Sequence, residues 1–273
     1  MCRWFDSAPG HQCSCAPAPF SGPGAFLQFG PYFYKNQPEM RVSLIDLKLT
    51  ANFPMKLISE ETSLVIAGAW NSAIVTPEWI QRYGLKKEAG QEISFQAMVP
   101  VGAGMLFDFP RFSFDGLSVV VRPDALVLAP SGNSEEKMDE IEQLAANAVA
   151  ELKHTPVGGV GHNFGFCEDT PNVEALTAFT ESQNALVAAA PDGWTVASTL
   201  LATTMIYGST QVTVNRAVIG NRLTIKFNFH HAVSNGIGAL SILRGEDGYK
   251  RLRENYQVAR TIITQLYGDL DEH

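Results

Sequence analysis

Two adjacent histidines are the side chains of this 273-residue chain best suited to chemistry. His230 and His231 close the run FNFHH, and Ser234, Asn235 and Gly236 follow within five residues. Imidazole titrates near neutral pH, so a histidine at a strand end can serve as a general base or as a neutral hydrogen-bonding group. The stretch therefore either contains a catalytic imidazole or is simply the end of a strand.

The segment before these histidines is predicted to be a β-hairpin with a turn at Gly220-Asn221. This turn predicts three apolar pairs on one face: Val218 with Leu223, Val214 with Phe227 and Val212 with Phe229. The other face carries a polar strip, with Gln211 opposite His230: Gln211, Thr213, Asn215, Lys226, Asn228 and His230. Because successive side chains of a strand point to opposite faces, His231 continues the apolar row. Five residues of the strip are candidate binding residues: Gln211, Thr213, Lys226, Asn228 and His230.

The stretch HHAVSNG resembles the HHxxxDG signature of the acyltransferases that include the chloramphenicol acetyltransferase and plant acyl-CoA transferase families. The resemblance covers seven residues. It implies that His231 is a general base, which removes a proton from an acceptor hydroxyl that attacks an acyl-CoA thioester. Acyl-CoA would then be a substrate. The aspartate of the signature falls on Asn235, which cannot form the ion pair usual at that place.

The alternative interpretation is structural: Asn235 and Gly236 make a turn, and the two histidines cap the edge of a sheet. This interpretation requires no cofactor, and we adopt it. It predicts a protein that acts by binding or assembly, with itself or another protein as partner and without evident catalysis. The polar strip and an aromatic amino-terminal arm are the expected contact surfaces.

The glycines of GGVGHNFG do not predict a dinucleotide site, because they follow a helix and lie within a strand. A dinucleotide fingerprint must leave a strand and open a helix. In this strand His162 lies with the apolar residues, which predicts a core histidine. The sequence contains no G-x-S-x-G elbow, no phosphate-binding G-x-x-x-x-G-K and no H-E-x-x-H metal helix.

Four potential metal ligands crowd the first fifteen residues: Cys2, His11, Cys13 and Cys15. Zinc accepts such ligands, but Cys-x-Cys is tighter than the usual spacing and no second cysteine pair follows. Free thiols on an arm are therefore favoured over a metal site. The cysteine distribution does not suggest a disulfide framework.

Composition narrows the classes of partner. The formal net charge of -8 argues against nucleic acid, whose phosphates require clustered lysine and arginine. No apolar stretch approaches the roughly 18 residues of a membrane span. The first residues lack the apolar core of a signal peptide, so we expect a cytoplasmic protein.

Three parts follow one another along the chain. Residues 1–39 form an arm rich in proline, glycine and aromatic residues, 40–130 are rich in strands, and 131–273 alternate helix with strand. The range 40–273 is compatible with one domain. The predicted fold is α+β, a largely antiparallel sheet with three longer helices in the second half, over 133–153, 170–190 and 248–268.

Overall fold

A computed structural model describes residues 55–87, 95–98 (backbone only), 109, 111–131, 135–169, 171, 176, 179, 188, 191 and 195–267. The chain divides into two compact units, Met1–Leu47 and Lys48–His273, and the described residues all belong to the second. Within them, nine strands form one sheet: β1 (Lys56–Gly68), β2 (Phe95–Met98), β3 (Arg111–Phe114), β4 (Leu117–Val121), β5 (Ala125–Pro130), β6 (Val157–Glu168), β7 (Ser198–Tyr207), β8 (Thr210–Ile219) and β9 (Arg222–Ala232).

Every neighbouring pair in this sheet is antiparallel. The strand order is β2-β3-β4-β5-β1-β6-β9-β8-β7. Strands β1 and β6 therefore lie at the centre, and each is flanked by a meander that ends on it: β2 to β5 on one side and β7 to β9 on the other. The strand-rich first part and the second part thus contribute to the same sheet.

Short turns set the register of the outer strands. Asp115 and Gly116, at φ of 42° and 80°, link β3 to β4, as a type I′ turn requires of its two central residues. Gly208 and Gly220 supply the positive φ at the first position of the turns before β8 and β9. The predicted register of the last hairpin is confirmed: Val212 lies opposite Phe229, and Gln211 opposite His230.

Helices cover one face of the sheet and bury its apolar rows. Helix α1 (Pro77–Trp79) continues as a π-helical turn (Ile80–Gly84), and it is followed by α2 (Glu135–Glu151), α3 (Gly236–Leu243) and α4 (Leu252–Tyr267). Helix α1 begins as the sequence TPEW predicts, since Thr76 is a preferred N-cap residue and Pro77 suits the first helical turn. Helix α2 contacts both α3 and α4. The core between helices and sheet includes Phe164, Phe166 and Phe227.

The antiparallel sheet and the first and last long helices confirm the coarse fold prediction. The middle helix, predicted over 170–190, lies outside the described residues apart from isolated positions, and so does the arm over 1–39. The alternating stretch 43–53, which predicts a half-buried strand, also lies outside them. In the last helix the sequence predicts an apolar stripe from Tyr249 to Leu266; Tyr249 precedes α4, and Leu266 is 52% exposed, whereas Tyr267 is buried. Helix α3 was not predicted. In the part of the chain that the structure describes, no helix has the length and apolar character needed to cross a membrane.

Candidate functional site

His231 lies on the helix-covered face at the end of β9 and is 1% exposed. Its Nδ1 is 3.1 Å from the hydroxyl of Thr210, the residue directly opposite on β8. The ring of Tyr249 packs edge-on against it, with 5.6 Å between ring centroids. Its Nε2 has no hydrogen-bond partner among the described residues. The predicted apolar-row position of His231 is therefore confirmed.

A second buried imidazole lies beside it. The His162 and His231 ring centroids are 5.3 Å apart, in an edge-to-face arrangement. His162 is fully buried, and the amide Nδ2 of Asn255 on α4 lies 2.8 Å from its Nδ1. Because an amide nitrogen can only donate, His162 Nδ1 accepts and the neutral ring carries its proton on Nε2. That Nε2 has no partner among the described atoms.

Burial keeps this histidine pair neutral. Desolvation and, to a smaller extent, the neighbouring His231 lower the pKa of His162 from 6.5 to about 3. Desolvation also lowers the pKa of His231, from 6.5 to about 4, with a smaller contribution from His230. A second charge beside the first would be costly in this environment, so both imidazoles act as polar members of the core at neutral pH.

Asn235 is a helix cap. It is the N-cap of α3, with extended backbone, and its side-chain Oδ1 accepts the backbone N–H of Gly238 at 3.0 Å. Asparagine is among the preferred N-cap residues because this bond satisfies a free donor in the first turn. Asn235 therefore ends the short loop after β9 and starts the following helix.

The predicted polar strip extends across five strands on the face opposite the helices. One row is in register from β1 to β7: Ser63, Asn163, Asn228, Thr213 and Thr204. Side-chain hydrogen bonds link most of it, with Asn163 donating to Ser63 at 3.2 Å and Asn228 donating to Asn163 at 2.6 Å. The Thr204 and Thr213 hydroxyls are 3.4 Å apart. This row and its polar neighbours form a surface that we call the polar face: Glu61, Ser63, Asn163, Thr204, Gln211, Thr213, Asn215, Lys226, Asn228 and His230.

Glycines of β6 make room for the polar face. A Cβ on Gly165 would collide with Glu61, whose Oε1 accepts a bond from Lys226 Nζ at 2.6 Å. A Cβ on Gly159 would come within 2.9 Å of the His230 ring. Long side chains from β1 and β9 therefore lie over β6. A strand face of small residues, such as Gly161 and Gly165 here, predicts that another element packs closely on it, and a helix was the expected one. In the described residues, the side chains of neighbouring strands provide this packing.

A bulge in β1 directs the Glu61 side chain across the small-residue face of β6. Between the pairs Ile58–Gly165 and Ser63–Asn163, β1 has more residues than β6, and the register shifts. The Thr62 hydroxyl donates to the Ile58 carbonyl at 3.2 Å inside the bulge. Bulges re-aim side chains and often lie next to functional surfaces. Sequence analysis missed Glu61 and Ser63, because no local pattern shows which residues of β1 face β6, about a hundred positions later.

The five predicted binding residues therefore share one face, whereas His231 lies on the other. The candidate metal ligands Cys2, His11, Cys13 and Cys15 fall outside the described residues. Among those described, no three histidine, cysteine, aspartate or glutamate side chains are grouped closely enough to hold a metal ion. No protein-family model and no curated protein matches the sequence of this chain.

Proposed function

We propose that this chain acts by binding another protein chain, and that the polar face of the sheet is its contact surface. The observation that carries the proposal is the in-register row of amides and hydroxyls across five strands, from Ser63 to Thr204. These groups are fixed by the sheet and by one another. Groups held in place in this way lose little conformational entropy when a partner binds.

The chemistry of the polar face favours a protein over other partners. Its ten residues include one lysine, Lys226, and that lysine is engaged with Glu61. Lys56 and Arg222 lie on the same face of β1 and β9, and the arginine is paired with Asp169. Amides and hydroxyls both donate and accept hydrogen bonds, as backbone and side chains of a protein do. A phosphate backbone would instead require several free cations.

Site-specific photo-crosslinking in the cells that make this protein tests the proposal. A photoreactive phenylalanine analogue is placed at Thr213, on the polar face, and in a matched variant at Glu151, exposed at the end of α2. We expect protein adducts from position 213 and far fewer from position 151. Equal yields from both positions, or no protein adduct from position 213, would contradict the proposal.

A second candidate function is acyl transfer from acyl-CoA, with His231 as general base. It is favoured by the imidazole itself, because Thr210 orients Nδ1 and Nε2 has no partner among the described residues, as a general base requires. The obstacle to this function is the burial of His231, because the residues packed around it must move apart to admit a thioester. Release of free thiol from acyl-CoA by the native chain, and its loss in His231→Ala, would establish this function.

A further inference from the structure

Strand β7 leaves one side of its backbone unpaired within the described part of the sheet. It is the last strand in the order and pairs with β8 alone. Several of its large apolar side chains are exposed, including Ile206 at 78%, Tyr207 at 67% and Leu200 at 63%. An unpaired edge of this kind is a template for another strand.

The register of the hairpin shows which backbone groups point outward. Tyr207 and Thr210 flank the two-residue turn, so they form a hydrogen-bonded pair. Hydrogen-bonded and non-hydrogen-bonded pairs then alternate along the ladder. The N–H and C=O groups of Leu200, Ala202, Thr204 and Ile206 therefore point away from β8 and can pair with a further strand.

The strand itself lacks the charges, prolines and bulges that normally prevent pairing. Its sequence, STLLATTMIY, contains no charged residue and no proline. Its pairing with β8 is continuous over ten residues, without a bulge. Natural edge strands are usually protected by lysines, prolines or bulges, so an edge without them is suited to an intermolecular contact.

We propose that β7 pairs antiparallel with β7 of a second copy of this chain, about a twofold axis at Thr203. The inference goes beyond the proposed function, because it assigns a partner to the edge of the sheet and not to the polar face. Two nine-stranded sheets then join into one. In this isologous contact each copy presents the same strand to the other.

The sequence of β7 is self-complementary about Thr203. With the axis at this residue, Ala202 lies opposite Thr204 of the second copy, Leu201 opposite Met205, and Leu200 opposite Ile206. Four of the five large apolar side chains therefore meet another on the same face of the sheet, and Tyr207 lies opposite Thr199. Leu200, Ala202, Thr204 and Ile206, whose backbone groups point outward, each lie opposite another of these four in the second copy. The register therefore also allows their backbone N–H and C=O groups to form hydrogen bonds.

Neighbouring registers pair fewer of the large apolar side chains: an axis at Thr204 pairs Leu201 with Tyr207 but sets Leu200 opposite Gly208. A shift by one residue sets outward-pointing groups against groups already bonded to β8. An axis at Ala202 pairs Leu200 with Thr204 and Ser198 with Ile206, which separates the apolar side chains. Cross-strand pairs of apolar side chains each contribute about 0.2–1 kcal/mol relative to alanine pairs.

Charge and size also fit a second copy. Two chains of net charge -8 repel each other, and the uncharged β7 lets them meet without bringing like charges face to face. With the axis at Thr203, residues 199–207 of the two copies pair, along an edge about 30 Å long.

Disulfide trapping tests the register. In the full chain, with Cys2, Cys13 and Cys15 replaced by serine and Cys167 by alanine, Thr203→Cys places two thiols opposite each other at the axis. Opposed residues of a non-hydrogen-bonded pair have Cα atoms about 4.5 Å apart, within the range of a disulfide. Thr204→Cys is the matched control, because its two copies are offset along the strands and lie beyond that range. We expect rapid covalent dimers from the first variant and slow or none from the second. Equal rates would overturn the register.

Sedimentation equilibrium tests the pairing itself. We expect the native chain to approach twice its mass of 29.7 kDa, and Ala202→Pro, which removes an outward N–H, to sediment as a monomer with an unchanged circular dichroism spectrum. Ala202→Val keeps the N–H and should still dimerise. A dimeric Ala202→Pro variant would overturn the proposal. A native monomer at all concentrations would overturn it too, but protein binding at the polar face would still be tested by cross-linking at Thr213.

Discussion

Acidification from pH 7.5 to pH 5.0 is expected to lower the free energy of unfolding through the buried pair His162 and His231. Their pKa values are depressed to about 3 and about 4 in the folded chain, against 6.5 when solvated. As the pH drops below 6.5, the two imidazoles therefore bind protons in the unfolded chain but not in the folded chain. The free energy of unfolding falls accordingly. At pH 5.0 each imidazole costs about 2 kcal/mol, so the pair costs about 4 kcal/mol.

That loss is large against the roughly 5–15 kcal/mol by which a domain is stable. Urea denaturation at the two pH values measures it directly. Glu142 changes stability in the opposite direction, because burial raises its pKa and the folded chain binds its proton more readily. Variants of the histidines separate the contributions, since the Glu142 effect is common to all of them.

We expect His162→Leu and His231→Leu each to reduce the pH-dependent loss by about 2 kcal/mol, and the double variant to remove about 4 kcal/mol of it. His154→Gln, at an exposed position after α2, is the control and should lose as much stability as the native chain. If the double variant loses as much stability as the native chain on acidification, the assignment of both imidazoles as neutral core groups is refuted.

Two further substitutions test the packing beside the site. In thermal denaturation, Gly165→Ala should destabilise the chain by about 1–3 kcal/mol, because its Cβ would lie 2.6 Å from the Glu61 Cβ. Gly158→Ala is the control: its Cβ would enter open space, so the substitution should be neutral or slightly stabilising. Glu142→Gln should cost about 1–3 kcal/mol in urea denaturation, because it leaves Arg251 without the carboxylate 2.7 Å from its Nε; an unchanged midpoint would show that this buried carboxylate does not anchor α4.

Local patterns were sufficient for much of the second half of the sheet. The turn at Gly220 and the alternation of the flanking residues predict that His230 and His231 point to opposite faces, and they do. The histidine environment was harder to predict. Asn255 contacts His162 from a helix 93 positions later, and nothing local to either residue indicates the contact.

The centre of the sheet was also beyond local patterns. Strand β1 includes Glu60, Glu61 and Thr62, which do not alternate as a half-buried strand does, because the bulge interrupts the alternation there. Its polar partners are set by pairing with β6, a contact between distant parts of the chain. Helix α3 follows Asn235 directly and is short and apolar throughout, so no helical stripe distinguishes it from a strand.

His231 lies in the core, and the proposed contact surface lies on the opposite face of the sheet. Differential scanning calorimetry of the native chain and of His231→Ala, each with 1 mM acetyl-CoA or a longer acyl-CoA, tests most directly whether His231 is a core group. We expect the ligands to leave both midpoints unchanged. A ligand with a dissociation constant a hundredfold below its concentration would stabilise the native chain by about 2.7 kcal/mol. Such a rise, absent in His231→Ala, would identify His231 as part of an acyl-CoA site and contradict its assignment as a core group.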